Sequence, residues 1–237
     1  MKYFFYFISL GILFSSIIYC QVDSTIIEDL STPLDIEVIF FGGTAYPYFP
    51  TKFKDYWSSD WSAGIGGGIS FQPGDLGYVA IYPTFEFSKM IFAQSGFRDD
   101  HFWNKYSKYS SRGSMKISNV MVNLKGSFSS TKKTTAPYFL IGLGRINYSS
   151  SRVIVNDNGV LSFDIDSKAG FAWTFGVGLE VPFNERIGAF IEGKSIIGFV
   201  NEGKSIIGVD NYRNDIKGIV DPVRQYFPVN VGVKLRF

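Results

Sequence analysis

Large apolar residues stand at every second position through most of this chain. The plainest stretch is Phe171, Trp173, Phe175, Val177, Leu179, Val181 and Phe183, with Ala172, Thr174, Gly176, Gly178, Glu180 and Pro182 between them. A helix would scatter the first set around its circumference, whereas a strand places it on one face. The run is longer than the roughly five or six residues of an ordinary soluble strand. It suits a tilted membrane-crossing strand of roughly 9–11 residues. The same signature recurs at residues 36–40, 65–71, 79–87, 120–128, 139–143, 187–191 and 227–237, which with 171–183 predicts eight strands.

The connections between these strands alternate in length. Gln72-Pro73-Gly74-Asp75 has the residues of a tight turn. Residues 129–136 are short and polar, and Asn184-Glu185 is shorter still. The other four connections, roughly 47–60, 91–112, 150–168 and 200–224, are longer. Short turns at one end and long loops at the other are the habit of outer-membrane barrels, with the short turns in the periplasm. After residue 20 no apolar run approaches 18 residues, which excludes further membrane helices. A closed barrel is the other structure that satisfies every backbone polar group in lipid. A soluble lipocalin-like barrel also has eight strands, but its apolar residues would face inward around a ligand. Here the positions opposite the apolar stripe carry Gly, Asn, Lys, Arg and Glu, so the polar side is expected inside. The predicted fold is an all-β, eight-stranded antiparallel up-and-down transmembrane β-barrel.

The first twenty residues differ from the rest. Lys2 is followed by a nearly unbroken apolar run to Ile18, and polar sequence begins after Cys20. This reads as a secretory signal peptide over 1–20, followed by an N-terminal periplasmic segment over 21–33 and the barrel over 34–237. Cys20 is the only cysteine, and Ile18-Tyr19 before it is a poor match for a lipidation site.

Composition agrees with this division. Aromatics are 18% of the chain and charged residues only 19%, against roughly 25% in soluble domains. Net charge is +2, or about +1 without Lys2, so no basic stripe for nucleic acid is present. Tyr46, Tyr48, Phe49, Tyr56, Trp57, Trp61, Phe92, Tyr148, Tyr226 and Phe227 cluster with others near the strand ends, as interfacial girdles would. One internal repeat stands out: Glu192-Gly-Lys-Ser-Ile-Ile-Gly198 recurs as Glu202-Gly-Lys-Ser-Ile-Ile-Gly208. It leaves the end of strand seven ambiguous, since either copy could pair with strand eight.

Candidates for chemistry are sparse. The one histidine, His101, lies in a long loop beside Asp99 and Asp100, and no motif sets a nucleophile and carboxylate around it. Asp157, Asp164 and Asp166 lack the spacing of a calcium loop. No catalytic, metal-binding or cofactor-binding residue is therefore assigned, and no enzyme activity is expected. The inward charges say more. Glu37, Glu86, Glu180 and Glu192 fall on the polar face of their strands, as do Lys125, Lys194, Lys234 and Arg236. Charges inside a narrow barrel are paired or wet. The eight residues form either a salt-bridged plug or the lining of a narrow polar pore.

The last strand ends on Phe237. An alternating apolar strand closing on Phe resembles the signal read by the outer-membrane barrel-assembly machinery. Residues 137–144, Pro-Tyr-Phe-Leu-Ile-Gly-Leu-Gly, and 175–192, Phe-Gly-Val-Gly-Leu-Glu-Val-Pro-Phe-Asn-Glu-Arg-Ile-Gly-Ala-Phe-Ile-Glu, look like segments of the small outer-membrane β-barrel superfamily. That group holds the OmpA, OmpX-type and OmpW-type barrels, and the frequent Tyr, Asn and Lys give the chain a Bacteroidota tone. The resemblance implies residence in the outer membrane, contact with its lipid, delivery by the assembly machinery, and external loops that meet a surface partner. A structural or surface-interaction role is expected, with a narrow porin-like channel for small solutes as the alternative.

Overall fold

The computed structural model describes residues 34–49, 51–72, 77–93, 111–128, 134–150, 153–155, 161–165, 168–200, 206–207 and 225–237. The predicted signal peptide, residues 21–33, Cys20, Asp99, Asp100 and His101 lie outside them, as does the centre of the 72–75 turn.

Eight long strands form the barrel: β1 (Asp35–Phe49), β2 (Trp57–Phe71), β3 (Val79–Phe92), β4 (Ser114–Ser127), β5 (Ala136–Ser150), β6 (Lys168–Pro182), β7 (Ile187–Val200) and β8 (Gln225–Arg236). Each pairs antiparallel with its sequence neighbours, and β1 pairs with β8 from Glu37↔Arg236 to Phe49↔Gln225, closing the barrel. Phe237 extends that seam, exchanging backbone hydrogen bonds with Ile36. Closure leaves no strand edge, which is what lipid demands.

The strands run 12–15 residues, longer than the predicted alternating runs, and they absorb much of the expected loops. The expected long loop over 47–60 is the clearest correction. β1 continues to Phe49, a short helix α1 (Thr51–Tyr56) follows, and β2 starts at Trp57. The 150–168 loop contains a hairpin, Val153–Val155 with Leu161–Ile165. This hairpin joins Ser111–Arg112 on one side and Ile206–Ile207 on the other in a separate four-stranded sheet. At the opposite end the 183–186 turn is tight, and the Asn184 carboxamide oxygen accepts the N–H of Arg186 and of Ile187, both at 2.8 Å.

Side chains divide by parity. Outward positions such as Phe40, Ile65, Phe85, Val122, Leu143, Phe175, Val177, Ile191 and Val231 are exposed, with Phe175 at 56%. This is an apolar belt turned outward, the reverse of a lipocalin. Inward positions are buried. Pro83 faces out in the middle of β3, and the β2–β3 ladder breaks opposite it, running to Gly66↔Thr84 and resuming at Ile69↔Ile81. A proline has no N–H to give the ladder, so the gap falls where a donor is missing.

The two copies of the repeat take different places. The first lies in β7, where Glu192 pairs with Asn230 and Ile196 with Tyr226 of β8. In the second copy Ile206–Ile207 joins the loop sheet against Ile165 and Asp164. Among the described residues strand seven runs to Val200, and its pairing with strand eight runs to Ile197↔Gln225.

Candidate functional site: the charged interior

All eight predicted inward charges are buried, and they meet in two groups. The lower group sits at the short-turn end of the barrel and is built around Glu180. From β6 its carboxylate reaches Lys125 of β4 at 2.5 Å, Arg236 of β8 at 2.7 Å, and Lys234 of β8. These partners stand two strands away on either side, so the contacts cross the lumen. Tyr78, just before β3, donates its hydroxyl to Glu180 at 2.5 Å and accepts from Lys234 at 3.1 Å. Glu37 completes the group, with Arg236 at 3.0 Å, Lys234 at 3.3 Å and the Ser70 hydroxyl at 3.0 Å.

The second group lies nearer the middle. Lys194 binds Glu86 at 2.7 Å and Glu192 at 3.2 Å. Tyr138 donates to Glu192 at 3.0 Å, and the Lys125 ammonium lies 4.0 Å from the centre of the Tyr138 ring. Tyr138 thus connects the two groups. It packs with Phe41, Leu140 and Phe190 in a small aromatic and aliphatic cluster. Two glycines make room for these rings: a Cβ at Gly178 would run into Tyr138, and one at Gly232 into Phe190. Asn119 donates to the Tyr226 hydroxyl at 2.8 Å, and Ser62 to the Asn230 carboxamide at 2.7 Å, carrying the polar layer upward.

Above this the interior becomes apolar. Met90, Met115, Ile117, Ile146, Ile196, Tyr148 and Tyr226 are buried at the long-loop end. Phe92 meets Trp57 edge-on at 5.3 Å and stacks with Tyr56 at 6.2 Å. Here the girdle expectation is corrected. Tyr46, Tyr48, Trp61 and Phe227 are exposed on the outer surface, but Tyr56, Trp57, Phe92, Tyr148 and Tyr226 are buried. Clustering near strand ends does not separate outward from inward rings. Parity does where the ladder is regular: Phe92 shares the parity of Glu86, and Tyr226 that of Lys234. Trp57 shares the parity of exposed Trp61, and the register shift between Ser59 and Ser62 lies between them. Tyr78 shares the parity of Ala80, Thr84 and Glu86, but it carries no charge and so was not drawn into the expected network.

Both layers lie inside the ring of strands. Four carboxylates face four cations, and a tube of eight strands is just wide enough for its side chains to fill it. Burial without pairing would be expensive for any of these ions, and each one has a partner of opposite charge. Glu86 is fully buried and Lys234 is 1% exposed. Phe237, assigned to assembly, is exposed at the rim.

No protein-family model and no curated protein sequence significantly matches the chain. Among solved structures it is similar to neisserial surface protein A, at 11% identity over 86% of this chain and 97% of that one, with a TM-score of 0.42. A major outer membrane protein from Thermus thermophilus shares 13% identity over 86% and 100%, with a TM-score of 0.47. The outer membrane protein OprG from Pseudomonas aeruginosa shares 14% over 87% and 97%, also with a TM-score of 0.47. The closed ring of eight strands, the apolar belt turned outward and the ions turned inward belong to this chain itself: it is an eight-stranded antiparallel β-barrel of the membrane-spanning kind.

Proposed function

We propose that this barrel is closed and works through its outer surface, as a structural or surface-interaction protein of the outer membrane. The observation that carries this reading is the burial of the interior side chains, with paired ions below and aromatic and aliphatic side chains above. A conduit would need a wetted path along the axis. The loop architecture supports the same reading, because strands from three different long connections share one sheet beyond the barrel. Paired segments present a defined surface, and loops on a rigid scaffold are where binding residues concentrate. Delivery would run through β8, whose exposed terminal Phe237 suits recognition by the barrel-assembly machinery.

Planar-bilayer recording of the purified protein, alongside Glu180→Gln, tests the closed lumen. The expected result is no unitary conductance from the wild type. Steady ion-selective openings that change with Glu180→Gln would replace this reading with the narrow channel. Protease treatment of intact cells tests the surface role, and cleavage within the long connections is expected.

A further inference from the structure

We propose that the outer face of β3–β5, at the long-loop end, binds the phosphate group of an anionic lipid. Lys89, Lys116 and Arg145 stand there on three successive strands, all on outward-facing parity. Lys116 and Arg145 are exposed, and Lys89 is partly so. Lys89 and Lys116 are direct cross-strand partners. Like charges placed opposite each other are destabilising, and among the described residues Asp60, 3.2 Å from Lys89, is the carboxylate paired with one of the three cations. Arg145 lies deeper, paired with Val120 on one side and Phe171 on the other. Lys116 instead pairs with Ser149, four residues further along β5.

The setting selects a lipid over a soluble anion. Elsewhere on this rim the outward residues include Phe171, Trp173, Phe199, Phe227, Tyr46 and Trp61, all exposed rings. On β4 and β5 cations take the place of such rings, and on β3 Lys89 stands beside Phe87. Directly below them Phe85, Val120, Val122 and Leu143 continue the apolar belt. An amphiphile lying against this face would place its acyl chains on the belt and its phosphate among the cations. A guanidinium suits that phosphate, offering a planar fork of donors, and the lysine stems can bend toward the headgroup level. The short-turn and long-loop rule puts this end outside the cell, so the lipid belongs to the outer leaflet. The proposal rests on the membrane-spanning reading alone, and bilayer recordings leave it untouched.

The test uses the refolded full chain in neutral detergent and native mass spectrometry, with diphosphorylated lipid A as probe and its phosphate-stripped form for comparison. Wild type is expected to retain lipid A, to discriminate against the stripped form, and to keep its lipid when inorganic phosphate is added. A Lys89→Gln, Lys116→Gln, Arg145→Gln triple variant is expected to lose about a hundredfold in retention, because each basic residue near an anionic surface contributes about 1 kcal/mol. Folding is checked by gel mobility before and after heating. Should the triple variant misfold, Lys116→Gln alone is expected to lose roughly fivefold. Retention unchanged in the folded variants, equal binding of the stripped lipid, or displacement by inorganic phosphate would each overturn the proposal.

Discussion

Glu180 shows what a single residue does in this interior. Three cations and a tyrosine hydroxyl converge on its carboxylate from across the lumen. Glu180→Gln keeps the shape and removes the charge, leaving Lys125, Lys234 and Arg236 buried against Glu37 alone. Breaking a buried ionic cluster in this way costs about 3–5 kcal/mol. Urea unfolding in lipid vesicles should show a loss of that order, and an unchanged midpoint would mean that the cluster is wet. Gly178 makes a different point. Its Cβ-less face is where the Tyr138 ring lies, so Gly178→Ala is expected to push that ring from Glu192 and Lys125 and to destabilise by about 1–3 kcal/mol in the same assay. The eight charges were legible because parity alone sends a strand residue in or out. Their partners were not: which cation meets which carboxylate depends on strand stagger across the lumen, and the alternating pattern along one strand carries no record of that.

At the scale of the strand, the repeat has a testable physical meaning. Its two copies are ten residues apart, an even offset, so replacing one by the other preserves the inward and outward sides. Deleting residues 193–202 joins Glu192 to the second Gly-Lys-Ser-Ile-Ile-Gly and restores a lysine and an isoleucine to the lumen positions of Lys194 and Ile196. This variant is expected to fold, with wild-type heat-modifiable mobility on a cold gel. Deleting 193–201 changes the parity, turns the lysine toward lipid and the glycine before it into the lumen, and is expected to leave no folded band. Strand eight offers a second case. Phe237→Ala keeps the backbone bonds to Ile36, so refolding of the purified protein should be unaffected, while the amount recovered in outer-membrane fractions should fall. Fractionation blots beside refolding yields would separate the two effects. Strand existence was readable from the period of two, but strand ends were not. Near the long-loop end of β4 the alternation changes sign: inward Met115 and Ile117 are apolar while outward Lys116 and Ser118 are polar, so an apolar-outward pattern read along the strand stops short of its end.

Across the whole molecule, the barrel and the sheet above it differ in how they were foreshadowed. The barrel follows from counting alternating runs and connection lengths. The loop sheet brings together residues 111–112, 153–155, 161–165 and 206–207, segments too short for any periodicity to announce. Its pairings join connections that are far apart in sequence. Such a surface belongs to no single loop. An antibody raised against the folded protein and directed at this sheet should fail to recognise a synthetic peptide from any one of the three connections. For the same reason, sequence drift in one of these connections would be constrained by the other two.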